Sequence, residues 1–171
     1  MSDAEVLFHA HREPVFRYLC RTVGTADAAR DLTQEVFLRV TRSVPPDAGH
    51  DGQRAWVFRI ARNLALNYLR DGRRRPAAVA LVEHAAPATQ ELAAAIDGAV
   101  ASLPDLERDV FLLRESAGLS YEEIGRACEI SADAVRNRLH RARVQLRDAL
   151  GTTFRIQRQR GVRLARRESD D

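Results

Sequence analysis

The chain has 171 residues, 45% of them hydrophobic and 30% charged, enough for one domain or two small ones with modest cores. A net charge of +3 is too small to argue for nucleic-acid binding by itself, so the distribution of charge carries the weight. No apolar run approaches the ~20 residues of a membrane span, and the N-terminus lacks the basic-then-apolar order of a secretion signal, so a cytoplasmic location without membrane insertion is expected.

All 27 basic residues are arginine. With abundant alanine this bias points to a GC-rich genome, and arginine also suits bidentate contacts to phosphate and guanine. Cys20 and Cys128 are far apart and lack CxxC spacing, which argues against a disulfide framework or a zinc site and for two reduced thiols.

The first element, about Glu5 to Val23, places Val6, Leu7, Val15, Phe16, Leu19 and Val23 at mostly helical spacing around Pro14, as one helix or two short ones. His9, His11 and Cys20 do not make a metal site, because a fourth ligand is missing and an HxH pair on a helix does not face one point. Gly24 ends the element, and Thr25 or Asp27 starts a second helix to about Arg42. There Ala29, Leu32, Val36 and Val40 form the buried stripe. Asp31, Gln34, Glu35, Leu38 and Arg42 stay outside, as solvated helix or as a docking face where leucine is rimmed by charge.

Residues Pro45 to Gly52 read as a loop. A helix from Arg54 to Asp71 follows, with a broad apolar face (Val57, Phe58, Ile60, Ala61, Leu64, Ala65, Tyr68, Leu69) and a narrow one carrying Trp56, Arg59, Asn63, Asn67 and Arg70. An aromatic ring in line with amides and guanidiniums is a platform for unpaired bases. Alternatively, Trp56 packs at the helix start and the amides face water. Gly72 stops the helix, and the arginine-free stretch from Pro76 to Ala88 reads as a flexible linker. The expected architecture is thus all-α, with two small helical domains over 1–75 and 89–150, a linker over 76–88 and an arginine-rich tail over 151–171.

In the second domain Thr89 is expected to cap a helix with the stripe Leu92, Ile96, Val100 and Leu103, and Asp105 to Ala117 forms the next helix, closed by Gly118. Ser120 and Glu123 have capping-box spacing, and Ser131 with Asp133 offers another helix start. This is a helix-turn-helix. Its second helix buries Val135, Leu139, Ala142, Leu146 and Ala149 and turns Arg136, Asn137, His140, Arg141, Arg143 and Arg147 elsewhere. Asp105 to Glu129 carries seven carboxylates against three arginines, while Ser131 to Leu150 carries five arginines against two aspartates. That sorting suits a helix lying in a DNA major groove, where arginine pairs with guanine or phosphate and asparagine with adenine. No nucleophile–base pair, metal cluster or phosphate loop appears, so no catalytic residue, metal or cofactor is assigned and no enzyme activity is expected.

Asp31-Leu32-Thr33-Gln34-Glu35-Val36-Phe37-Leu38-Arg39, Ala55 to Asn63, Leu103-Pro104 with Arg108 to Phe111, and Leu119 to Leu150 together resemble the extracytoplasmic-function (ECF) sigma factors of the bacterial sigma70 family. The resemblance implies a subunit that binds core RNA polymerase, recognises promoter DNA as duplex and as single strand, and is held by an anti-sigma factor. It implies that Asp31, Gln34, Glu35 and Leu38 dock on the polymerase clamp. Trp56, Arg59, Arg62, Asn63 and Asn67, beside a pocket loop from Ser43 to Gln53, would meet the minus-ten element. Arg136, Asn137, Arg138, His140, Arg141 and Arg143 would meet the minus-thirty-five element. Thr41 stands where many members have tryptophan, so the end of the clamp-binding helix is expected to pack differently. The rival reading is a helix-turn-helix regulator that binds duplex DNA without polymerase.

Overall fold

The structure, a computed structural model, describes residues 2–43, 49–72 and 87–168. Among these residues there are seven helices and no strand, and no helix is long and apolar enough to cross a membrane.

Helices α1 (Asp3–Val23), α2 (Ala26–Arg42) and α3 (Gly49–Arg70) form the first domain. A capping box opens α1: the Ser2 hydroxyl accepts from the Glu5 N–H, and the Glu5 carboxylate accepts from the Ser2 N–H at 2.7 Å. Pro14 leaves α1 a single helix, since the Ala10 carbonyl that it cannot engage belongs to an exposed residue that water can reach. Gly24 at φ 80 closes the helix, and Thr25 caps α2. The core joins Val15, Tyr18 and Leu19 of α1 to Val36, Phe37 and Val40 of α2 and to Phe58, Ala61 and Ala65 of α3. Edge-to-face contacts of Phe8 with Phe37 and of Tyr18 with Phe58 fix the ring orientations.

Helix α3 begins at Gly49, inside the stretch expected to be loop. Gly49, at φ 59, turns the chain into the helix, and Asp51 in the first turn complements its dipole. Of the expected loop, residues 44–48 lie outside the described residues, as do 73–86, which hold most of the expected linker and the Arg73-Arg74-Arg75 run.

The second domain contains α4 (Pro87–Ala101), α5 (Asp105–Glu115), α6 (Tyr121–Cys128) and α7 (Ala132–Glu168). Helix α4 starts two residues before the expected Thr89 cap, with proline in the first turn, where its missing N–H costs nothing. Leu92, expected in the buried stripe, is 41% exposed, whereas Val100 and Leu103 are buried; burial grows toward the end of α4 that meets the domain core. The Ser120–Glu123 capping box is complete, and the Ser131 hydroxyl accepts from the Ala134 N–H at 3.1 Å. Val135, Leu139, Ala142 and Leu146 are buried as expected, with Ala149 half-buried. Rather than ending near Leu150, α7 carries its backbone through much of the tail to Glu168.

The turn between α6 and α7 is set by two backbone conditions. Glu129 adopts a left-handed conformation at φ 59 to end α6. The Ile130 N–H then folds back onto the Gly125 carbonyl at 2.9 Å. A Cβ on Gly125 would sit 2.7 Å from the Ile130 carbonyl oxygen, so only glycine allows this approach.

The two domains are packed together, α3 against α6 and α1 against α5. His11 of α1 lies near this junction, 6% exposed, with its Nε2 buried and unpartnered among the described residues. Burial lowers its pKa, with Arg54 and His50 acting in the same direction and Glu123 opposing them.

Two stability measurements follow. Gly125→Ala is expected to lower stability by about 1–3 kcal/mol through backbone displacement, read as a lower Tm in circular dichroism. Because the folded pKa of His11 lies below its unfolded value, the unfolded chain takes up the proton first. Its stability contribution is complete above the unfolded pKa of about 6.5 and is lost as pH falls through the folded value. His11→Leu should therefore flatten the decline of Tm on acidification, and an unchanged pH profile would contradict this account of His11.

Candidate nucleic-acid interface

On α7 the residues expected to meet DNA do not share one environment. Arg136, Asn137, His140, Arg141 and Arg143 are exposed. Arg136 is braced by Asp133 at 2.7 Å and lies over the Tyr121 ring at 5.8 Å, and Arg143 reaches Glu115 at 3.3 Å. Arg138 differs: it is half-buried and donates to the buried Glu107 of α5 at 2.9 Å. Since it ties α7 to α5, its guanidinium is engaged inside the domain.

On α3 the narrow face is resolved residue by residue. Arg59, Asn63, Asn67 and Arg70 are exposed, while Trp56 is half-buried and packs against the hydrophobic core, closer to the structural alternative for that ring. Arg62 is also half-buried, because the second domain covers it. Its Nε donates to Asp109 Oδ2 of α5 at 2.9 Å. Burial works against the Arg62 charge, but Asp109, through its charge and its hydrogen bond, together with Cys128 and Tyr18 more than offsets this and holds the guanidinium above its ordinary value. Burial likewise pushes the Asp109 carboxyl up from its ordinary value, and Arg62 offsets only part of the shift.

Around that pair, cations of the first domain meet acceptors of the second. Arg54 donates to the Ala117 carbonyl at 2.6 Å and approaches Glu123 at 3.5 Å, so it clamps the turn where α5 ends and α6 begins. Arg59 pairs with Glu129, the left-handed residue of the helix-turn-helix. Arg21 of α1 reaches Asp97 of α4 at 2.5 Å. Sequence reasoning missed these partners: the acidic surplus before α7 was visible, but its orientation toward the first domain was not. Cys128 sits in the same junction, where burial pushes its thiol up to about 12, so it carries no reactive thiolate at neutral pH.

On α2, Asp31 and Gln34 are exposed, Leu38 is 50% exposed, and Glu35 is half-buried and bonded to Arg39 at 2.8 Å. The Thr41 hydroxyl, near the end of this helix, donates to the Leu38 carbonyl at 2.8 Å. A groove of about 490 Å³ runs beside this face between α1 and α2, lined by Phe8, Arg12, Phe16, Arg30, Thr33 and Gln34. Among the described residues no three His, Cys, Asp or Glu side chains gather as metal ligands. The expected pocket loop before α3 falls partly outside the described residues.

Two family profiles match the chain in tandem, Sigma-70 region 2 over residues 7–75 and Sigma-70, region 4 over residues 93–146. The chain is 37% identical over 163 residues to the ECF RNA polymerase sigma factor SigE of Mycolicibacterium smegmatis, covering 88% of this chain and 62% of that relative. It is 30% identical to the RNA polymerase sigma-H factor of Pseudomonas aeruginosa, covering 90% of this chain and 88% of the relative. Its fold is similar to that of the sigma factor RpoE solved with the anti-sigma factor NepR from Bartonella quintana, with a TM-score of 0.70, 20% identity, and coverage of 88% and 98% of the two chains. Two tandem regions in this order, with relatives matched along most of the chain, place it in the sigma-70 family, among the ECF RNA polymerase sigma factors.

Proposed function

We infer that the protein is an initiation subunit that joins core RNA polymerase, recognises a promoter at the minus-thirty-five and minus-ten elements, and helps to separate the strands. The observation that carries this reading is the presence in one chain of an exposed Arg–Asn–His face on a helix-turn-helix and a second helix with exposed amides beside arginine. A regulator of duplex DNA has use for the first face alone. The family to which the chain belongs supports the same reading.

Within it, Arg136, Asn137, His140, Arg141 and Arg143 enter the major groove, with Arg138 holding α7 against α5. Arg59, Arg62, Asn63 and Asn67, with the edge of Trp56, hold the unpaired strand through amide hydrogen bonds, stacking and phosphate contacts. Asp31, Gln34, Glu35 and Leu38 form the docking face for the polymerase clamp, where an exposed leucine rimmed by polar groups gives a small apolar anchor. Binding alone accounts for this activity, and a cytoplasmic location follows from it. An anti-sigma factor is the regulatory partner we propose, as for the similar RpoE solved with NepR.

Reconstituted transcription tests the assignment. The double substitution Trp56→Ala with Asn63→Ala should reduce promoter opening, read by permanganate footprinting and run-off transcript, while co-elution with core polymerase stays intact. Unchanged run-off from this variant would remove α3 from the strand-holding role. Arg136→Ala should weaken binding to promoter duplex by about 1–3 kcal/mol and relax preference at one base pair if the guanidinium reads a base edge. A uniform loss with a shallower salt dependence would instead assign Arg136 to phosphate.

A further inference from the structure

Arg136 is held on two sides, unlike the other cations on the open face of α7. Its Nη1 donates to Asp133 Oδ1 at 2.7 Å, one turn back on the same helix. Its guanidinium also lies over the Tyr121 ring of α6, 5.8 Å from the centroid. The ring is itself fixed, because Arg114 of α5 lies against it at 5.4 Å and donates to the Leu119 carbonyl at 2.7 Å. Arg143 makes a looser contact with Glu115 at 3.3 Å, and Arg141 is open to solvent.

Asp133 is an exposed carboxylate at the start of the helix that faces DNA. There it repels phosphate and lowers affinity, and its charge would suit a helix N-terminus wherever the side chain pointed. The structure turns it to Arg136.

We propose that Asp133 and the Tyr121 ring are positioning residues that set Arg136 to read one guanine of the minus-thirty-five element. This rests on the role inferred above for α7, and it puts Arg136 on a base edge rather than on phosphate. A phosphate contact needs charge, whereas guanine O6 and N7 need two parallel N–H groups in one plane. Asp133 takes Nη1 and leaves Nε and Nη2 as a two-pronged edge for the base, while the Tyr121 ring limits the swing of the guanidinium. Arg136 stands in the second turn of α7, in the N-terminal part of a recognition helix that meets base edges. Neither contact adds much stability at the surface. Their effect is to remove in advance rotamer freedom that a loose arginine would lose on binding.

Holoenzyme reconstituted from core polymerase and the full-length chain tests this, on a promoter whose start site the wild-type holoenzyme maps by run-off. Competition binding is measured for duplexes in which each base pair of the minus-thirty-five segment is replaced in turn. The chains compared are wild type, Arg136→Ala, Asp133→Ala, their double variant, Tyr121→Leu and Tyr121→Phe.

Arg136→Ala should erase preference at one G·C pair. Asp133→Ala should lower preference at that same pair about fivefold, yet bind the replaced duplexes at least as tightly as wild type, since a charge that repels phosphate is gone. The double variant should lose no more preference than Arg136→Ala alone. Tyr121→Leu should also lower preference at this pair, and Tyr121→Phe, which keeps the ring, should restore it.

Tighter binding of every duplex by one factor in Asp133→Ala, with preference intact, would overturn the proposal and leave Asp133 as a helix-start charge. So would preference lost at a different base pair, which would make Asp133 a reader in its own right. Uniform weakening in Arg136→Ala would overturn it too, by putting Arg136 on phosphate, and equal loss in Tyr121→Phe and Tyr121→Leu would remove the ring from the account. All of these leave the sigma assignment standing while wild-type holoenzyme starts transcripts. A wild-type chain that starts none counts against that assignment and overturns this inference with it.

Discussion

The contact on which the rest of the structure depends is the packing of α3 on α6, with the Arg62–Asp109 pair beside it. Helix α3 belongs to the core of the first domain through Phe58, Ala61 and Ala65, yet its other side is partly covered by the second domain. One helix thus has two neighbours, and what it shows to solvent depends on whether the second stays in place. The buried residues of both domains form one continuous cluster, so no solvent layer separates the units although each has its own caps and turns.

Charge explains why they meet in this orientation. Five of the seven carboxylates between Asp105 and Glu129 fall into two groups. Glu107 and Glu115 turn toward Arg138 and Arg143 of α7, which stiffens the helix-turn-helix from within. Asp109, Glu123 and Glu129 turn the other way, toward Arg62, Arg54 and Arg59 of α3. Exposed pairs such as Arg59–Glu129 add little energy in water and serve chiefly to fix register. The buried pair, Arg62–Asp109, is the costly one, and it sits where α3 meets the second domain.

The helix-turn-helix was legible because its determinants are local. A capping box needs Ser120 and Glu123 three residues apart, and a recognition helix needs an apolar stripe at spacings of three and four. Both can be read from a single stretch of chain. The start of α3 was not legible, because Gly49 and Gly52 are poor helix formers and only the packed domain makes a first turn there worthwhile. Leu92 matched the stripe of α4 by period, but period cannot show how far along a helix the core extends. Arg138 looked like its neighbours in sequence. Its side chain turns to Glu107 because α5 lies on that side of α7, a fact of tertiary packing. The same holds for Trp56, whose ring is half-buried against the core although its backbone position lies on the polar face.

By itself the sequence determined the all-helical class, the caps, the helix-turn-helix, the apolar stripes and the sorting of charge, because each depends on residues within a few turns of one another and on the fixed period of the helix. Only the tertiary structure decided which carboxylate meets which guanidinium across the two domains, and therefore which candidate DNA contacts are open and which are held. Those pairings span 47 to 76 residues of sequence, and local spacing carries no information over such a distance.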